Sequence, residues 1–418
     1  MKLCFVADFR SPIARNWIRH FADGGHEVHV ISTFQSGSMD IPVASLHVVP
    51  LGLSSLRGQA ASVAEGGDGT PAAGVATRLK AAARRLSGIG MELHQLAAPL
   101  HVFKQRHTVR RLIDDIRPDL VHAMRIPFEG ILAAEALRDR ETPLVVSVWG
   151  NDFTLFGARY PLIGWTTRRA MRRADALHSD CLRDHQLRIE WGFDGGRPSV
   201  VLPGAGGVQE ETFHEGPAPR ELVESLAIPE GAPVVINPRG FRSYVRNDTF
   251  FRAIPLVLRE RPDAVFVGVG MAGNPTATGW VRRLDVEPAV RLLSVVPRRT
   301  MADLFRLADV TVSPSEHDGT PNTLLESMAC GAFPVAGDIP SVREWIEPGA
   351  NGLLVDPGDP RALADAVLQA IADPRLRSDA AAVNRRLVAE RAAYETVMRK
   401  AECFYAEVLA HTGRGGPA

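Results

Sequence analysis

Short apolar runs alternating with longer stretches of helical spacing run through the whole chain, and this alternation constrains its fold more than any other feature. Residues 3–7 read as a strand, 13–22 as a helix and 26–32 as a second strand; 119–123, a helical 129–137 and 143–148 continue the pattern. The second half repeats it, with strands at 232–237, 264–268, 291–295, 309–314 and 333–336 and helices at 248–259, 300–308, 321–330 and 361–372. Near-continuous apolar strands joined by helices suit a parallel sheet covered on both faces. The expected fold is therefore α/β, with two Rossmann-like, doubly wound parallel-sheet domains, and 418 residues are enough for two cores. The Pro- and Gly-containing 214–219 is the expected linker, between a first domain over 1–213 and a second over 220–380. Residues 53–77, rich in Gly, Ala and Ser, read as a flexible loop, and 381–409 as a closing helix within 381–418.

Composition narrows the function classes. A 45% apolar and 23% charged chain is an ordinary globular protein rather than a disordered one. The 48 basic residues equal the 48 acidic ones, which argues against nucleic acid as a partner. Residues 1–200 nevertheless carry a net +5 and 201–418 a net −5, as for two domains with different partners. Cys4, Cys181, Cys330 and Cys403 are scattered with no CxxC pair, so neither a metal cluster nor a disulfide framework is expected, and the reducing cytoplasm is the default location. The opening apolar run, 3–7, is too short for a signal peptide or a membrane span. Arg outnumbers Lys 44 to 4, the usage of a GC-rich bacterial genome. Two stretches, 78–111 with eight basic residues and 155–173 with five, suit either solvated helix faces or docking on anionic lipid headgroups at the inner face of the membrane.

The densest chemistry lies at Ser313–Gly331. Its order is strand, glycine loop, then a helix with Thr320 as the expected N-cap, Pro321 in the first turn and Gly331 as the stop. A helix N-terminus after a strand's carboxyl end is where open α/β sheets receive ligands, and its free N–H groups favour phosphate. Glu326 is the only charged residue between Asp318 and Asp338, so it needs either a protein partner or ligand hydroxyls. A buried glutamate paired with amides or an Arg, and an Asp318 that merely caps a turn, are the plain structural alternatives.

This constellation resembles glycosyltransferase family 4, which has the GT-B fold of two domains facing each other across a cleft. The family carries Glu, seven residues and Glu before a small-residue helix ending in Gly; Asp318 and Glu326 give Asp-x7-Glu here. Phe333-Pro-Val, Ser341-Val-Arg-Glu-Trp345 and Asn351-Gly-Leu-Leu-Val-Asp356 are similar to the family as well. The resemblance covers most of 232–372 and extends more weakly to the first domain and the closing helix, which is expected to pack back on that domain.

What the resemblance implies is a nucleotide-sugar site in the second domain. Glu326 would hold ribose hydroxyls, Asp318 the transferred sugar, and the amides of Gly319, Thr320, Pro321-Asn322 and Thr323 the sugar or its diphosphate. Arg239, with Arg246 as second choice and Arg242 as fallback, would stabilise the leaving diphosphate. The implied reaction is retaining transfer of a sugar, with UDP-sugars the default donor, to a hydroxyl of a glycan, glycolipid or small molecule. No cofactor or obligate metal is implied.

Other signals are less specific. Gly268-Val-Gly270-Met-Ala-Gly273 matches GxGxxG, but in a second βα unit and without a downstream acid, so a loop bordering the nucleotide-sugar site is expected rather than a dinucleotide site. In the first domain, expected to bind the acceptor, Arg10, Ser11 and Arg15 stand where the family often has Gly-Gly, and Trp149 replaces a family His. Asp152 reads as an acceptor ligand or an N-cap, His122 as a cleft residue or a core histidine, and His317 flanks Asp318. Two rivals remain open at this level: an epimerase acting on the nucleotide-sugar without an acceptor, and a nucleotide-sugar-binding protein without catalysis.

Overall fold

A computed structural model describes residues 1–35, 40–51, 102–242 and 244–413. The expected loop at 53–77 and the basic residues of 78–101 lie outside these. The described chain divides into two compact units. The first comprises 1–180, 184–201 and 401–418; the second comprises 181–183 and 202–400.

The first unit is built on a seven-stranded parallel sheet. Its strands are β1 Lys2–Ala7, β2 Glu27–Ser32, β3 Ser45–Val48, β4 Leu120–Ala123, β5 Leu144–Val148, β6 Ala176–Ser179 and β7 Ser199–Val201, in the order β3-β2-β1-β4-β5-β6-β7. The second unit has six: β8 Val234–Asn237, β9 Val265–Gly268, β10 Val290–Leu292, β11 Val310–Ser313, β12 Phe333–Gly337 and β13 Leu353–Val355, in the order β10-β9-β8-β11-β12-β13. Every pairing is parallel. The order reverses at β1/β4 in one sheet and at β8/β11 in the other, and such a reversal opens a crevice at the strands' carboxyl ends.

Burial on both faces explains the apolar runs. In β8, Val235 joins one hydrophobic cluster while Val234 and Ile236 join the cluster on the opposite face, and Phe266 and Val267 of β9 divide the same way. Strands β3, β7 and β13, of three or four residues, carry too few residues for an apolar run to stand out.

The expected helix over 381–409 is two helices, Pro374–Arg391 and Tyr394–His411. They break because Val208 inserts between them: its N–H donates to the Ala392 carbonyl (2.7 Å) and its carbonyl accepts from the Tyr394 N–H (2.9 Å). Gly207, at φ 92°, permits this approach, since a Cβ there would lie 2.3 Å from the Ala392 oxygen. Residues 214–219, the expected linker, fall inside the second unit.

The end of the second helix is part of the first unit. Trp17 Nε1 donates to the Tyr405 hydroxyl (2.9 Å), which in turn donates to His122 Nδ1. His122 Nε2 then donates to Ser147 Oγ (2.7 Å), and that hydroxyl to His178 Nδ1 (2.8 Å). All of these groups are buried, and a single direction of donation satisfies them.

Candidate active site

At the β8/β11 switch point two loops are tied together by backbone bonds. Val245 and Ser315 form an antiparallel bridge, the Glu316 N–H donates to the Tyr244 carbonyl (2.9 Å), and the Arg246 N–H to that of Pro314 (3.1 Å). Two buried asparagines brace the first loop. Asn237 Oδ1 accepts from the Arg239 N–H (3.1 Å), Asn247 Nδ2 donates to the Gly240 carbonyl (2.8 Å), and the two side chains bond each other (3.2 Å).

This bracing brings Arg239 and Asp318 together. Nη2 of Arg239 pairs with Asp318 Oδ2, and its Nη1 donates to Thr323 Oγ1 (3.3 Å) at the helix start. Its Nε is buried with no protein partner, so the guanidinium keeps a donor free for a ligand. Burial raises the Asp318 carboxyl above its ordinary range, opposed by Arg239, by the Gly319 N–H (3.1 Å) and by Arg242 and Arg183. The Asp318 carbonyl accepts from Arg183 Nη1 (2.9 Å) and Ser341 Oγ (2.8 Å).

The helix after the loop is Asn322–Ala329. Pro321, not Thr320, is its cap residue, and no side chain caps it, so the dipole and the first amides stay available to an anion. Thr320 is buried instead, and its hydroxyl accepts from Trp345 Nε1 (3.3 Å). Glu326 finds a protein partner in Arg298, whose Nη2 donates to Oε1 (3.1 Å), yet burial pushes its carboxyl up to about 7. Arg298 itself lies over the Phe213 ring, 5.1 Å from its centroid.

The other cations are placed differently. Arg246 is held by two carboxylates, Asp248 in a bidentate pair (2.9 Å and 2.9 Å) and Glu316, so it is a strut of the loop rather than a free cation. Arg242 is exposed, and Nη1 reaches the Tyr244 hydroxyl at 3.5 Å. Gly270 (φ 71°) and Gly240 (φ 61°) let the turns after β9 and β8 pack closely, since a Cβ on Gly270 would lie 3.5 Å from the Gly240 Cα. The GxGxxG run thus packs against the loop that carries Arg239.

In the first unit the expected surface residues are mostly spoken for. Ser11 is the N-cap of the helix Pro12–Asp23 and accepts from the Ala14 N–H (3.5 Å). Arg15 pairs with Asp40. Arg10 pairs with Asp8 (2.9 Å) and lies 3.7 Å over the Phe34 ring. His122 is a core residue: both ring nitrogens are bonded as above, and burial beside His178 holds its pKa well below the usual value. Asp152 is neither an exposed ligand nor an N-cap. It is buried, accepts from the Trp149 N–H (2.9 Å), and burial lifts its carboxyl to about 7. Trp149 leaves its Nε1 buried without a partner.

Arg183, Arg298, Ser341, Asn237 and Asn247 all escape sequence reasoning. Arg183 and Ser341 stand 135 and 23 residues from the Asp318 carbonyl they bond, and spacing carries no trace of that. Asn237 was visible in one respect, as a polar residue closing an apolar strand.

Comparison with known proteins bears on the family and the fold. The family described as Glycosyl transferases group 1 matches residues 232–373, and the Glycosyl transferase 4-like domain matches 11–204. A D-inositol 3-phosphate glycosyltransferase of Thermobispora bispora is 30% identical over 232 residues, 53% of each chain, and one of Xylanimonas cellulosilytica is 32% identical, covering 49% of this chain and 51% of its own. The chain thus spans about half the length of the curated relatives it matches. Among solved structures, sucrose-phosphate synthase from Thermosynechococcus elongatus superimposes with a TM-score of 0.74 at 14% identity, over 98% of this chain and 100% of that one. Anabaena HepE in complex with UDP-glucose gives 0.72 at 17%, over 97% and 100%. With both units matched in turn and the same two-sheet architecture, the chain belongs to the group 1, family 4-like glycosyltransferases of the GT-B fold.

Proposed function

We propose that the protein transfers a sugar from a nucleotide-sugar, with UDP as the default nucleotide, to a hydroxyl acceptor, the second unit binding the donor and the first the acceptor. The observation that carries this reading is Arg239, half-buried at the β8/β11 switch point with a free, buried Nε–H and with Asp318 occupying its Nη2. Asp318 gives Arg239 an anionic oxygen of the kind a phosphate would offer. A diphosphate arriving at Arg239 would take over that contact and release Asp318 to the sugar's hydroxyls. The uncapped start of Asn322–Ala329 would serve the same anion, and Glu326 the ribose. HepE, of the same fold, has been solved with UDP-glucose, which supports UDP as donor nucleotide.

The reaction follows from this placement. The bond from the anomeric carbon to the phosphate oxygen breaks as one to the acceptor oxygen forms, and the acceptor's proton passes to the departing phosphate. The acceptor enters on the same face that the phosphate leaves, so configuration is retained without a carboxylate nucleophile, and Arg239 and the helix amides hold the charge that develops on the phosphate. Arg239→Ala and Glu326→Ala should each lower UDP release from UDP-glucose by at least ~100-fold while circular dichroism stays unchanged; wild-type turnover in both would sink the reading. Incubation with donor alone separates transfer from epimerisation, which would yield an isomerised UDP-sugar, and from mere binding, which would yield neither product nor hydrolysis.

The acceptor reading extends to a membrane surface. The helix Pro161–Arg173 exposes Leu162, Trp165, Arg168 and Arg172 in one stripe, with Trp165 49% exposed. Its other arginines are engaged, Arg169 with Glu135 (2.8 Å) and Arg173 with Asp175 (2.7 Å). Aromatic and aliphatic tips beside exposed arginines, of which Arg168 lies 4.4 Å over the Trp191 ring, suit an anionic headgroup layer, so a lipid-linked or membrane-proximal acceptor fits. No helix among the described residues is long and apolar enough to cross a membrane. Co-sedimentation should favour vesicles with 30% anionic lipid over neutral ones, and Trp165→Ala with Arg168→Glu should abolish the difference.

A further inference from the structure

The switch point of the first sheet, β1/β4, holds a charged group that the reading above does not use. Glu129 lies in the turn Ile126–Gly130 directly after β4 and is only 2% exposed. Its Oε1 accepts from the Thr33 hydroxyl (2.6 Å) at the end of β2, but its Oε2 is buried with no protein partner. Leaving a carboxylate oxygen buried and unbonded costs stability, so a protein that keeps one has a use for it.

Glu129 lies at the edge of the hydrophobic core, beside Ile126, Ile131 and Leu132, yet charged groups approach it. The charged groups acting on Glu129 are Arg125, after β4, and Asp8 and Arg10, after β1. Asp8 is taken up by Arg10 in a two-point pair (3.0 Å and 2.9 Å). Arg125 is the loose member: it is 34% exposed, its nearest carboxylate contact is Asp152 at 3.6 Å, and it lies 5.3 Å from the centroid of Phe156. One guanidinium thus serves two buried carboxylates and satisfies neither fully. Its backbone sits at φ 127°, a strained value for a residue with a side chain, and such strain persists where the surrounding structure has a reason to impose it. The neighbouring loop after β5 adds two more buried atoms without partners, Trp149 Nε1 and Asn151 Oδ1, a donor and an acceptor.

We infer that Glu129 is the acceptor-binding carboxylate of the first unit: Oε2 receives a hydroxyl of a polyhydroxylated ring, and Arg125 turns aside to admit it. The inference rests on the reading that this unit binds the acceptor, and adds the residue and the ligand chemistry. A sugar or cyclitol ring presents neighbouring O–H groups that both donate and accept, and Oε2 lacks such a donor. Glu129 binds and orients; no proton transfer is assigned to it.

The test uses the full-length protein with UDP present, and methyl α-D-glucopyranoside and myo-inositol as probes in saturation-transfer NMR. Glu129→Gln keeps an oxygen for the Thr33 hydroxyl while removing the charge. The expected result is ring binding by the wild type, weakened at least 10-fold in Glu129→Gln, with an unchanged melting temperature or a higher one. Equal binding in the two proteins overturns the inference. So does a lowered melting temperature in Glu129→Gln, which would make Glu129 a structural residue, and so does failure of the wild type to bind either ring. A wild type that is not stabilised by UDP would instead count against the donor reading, and the two failures are therefore distinguishable.

Discussion

Burial pushes the Glu326 carboxyl from an ordinary 4.5 up to about 7, so ionising it costs the folded protein on the order of 3 kcal/mol above pH 7. The sign follows from which state holds the proton. Between pH 4.5 and 7 the folded protein keeps it while the unfolded chain has lost it, so this group's contribution to stability falls as pH rises through that window. Glu326→Gln should remove the fall, and calorimetric melting curves from pH 5 to 8.5 should show the variant gaining on the wild type as pH increases. A constant gap would contradict the burial argument. The ionised carboxylate accepts from two neighbouring ribose hydroxyls more strongly than the neutral acid, so UDP-glucose affinity should rise from pH 6 to 8 in the wild type and stay low and flat in the variant. At this scale the sequence was informative where a residue type was conspicuous. Glu326 stood out as a lone charge in an apolar helix, and Asp318 and Arg239 by the resemblance; that they form an ion pair with each other was not legible. Arg246 shows the opposite case, since the nearby Asp248 and the distant Glu316 that occupy it turn a candidate ligand into a strut.

Elements were legible by their periodicity and less so at their ends. The helix expected over 321–330 is Asn322–Ala329, and the N-cap moved from Thr320 to Pro321 because Trp345 claims the Thr320 hydroxyl from 25 residues away. The break at Ala392 has no Pro or Gly in the helix to announce it; the cause lies at Gly207 and Val208. The Tyr394–His411 helix is keyed by one hydroxyl, that of Tyr405, which accepts from Trp17 and donates to His122. Tyr405→Phe strands a buried donor and a buried acceptor, and should lower the unfolding free energy by about 2–3 kcal/mol in urea titrations. A loss within experimental error would mean that the hydroxyl's partners find others.

Over the whole molecule, residues 401–418 belong with the first unit although they end the chain after the second. A chain stopped at Lys400 loses Tyr405 and uncovers the Trp17, Phe21 and His122 cluster. It should therefore melt at a lower temperature, in a transition that UDP does not protect, while UDP still stabilises the remainder. Equal loss of UDP stabilisation would place the tail's role in the donor site instead.

What the sequence determined by itself was the architecture and the chemical vocabulary. Near-continuous apolar runs with helices between them leave a covered parallel sheet as the stable solution, because every strand must bury both faces. The loop and helix from Asp318 to Glu326 marked a candidate site at the end of one of those strands. Only the tertiary structure decided which charges are free. Whether an arginine serves a ligand or a neighbouring carboxylate depends on groups tens of residues away, and so does the orphaning of Glu129, whose lack of a partner is a property of the packed fold.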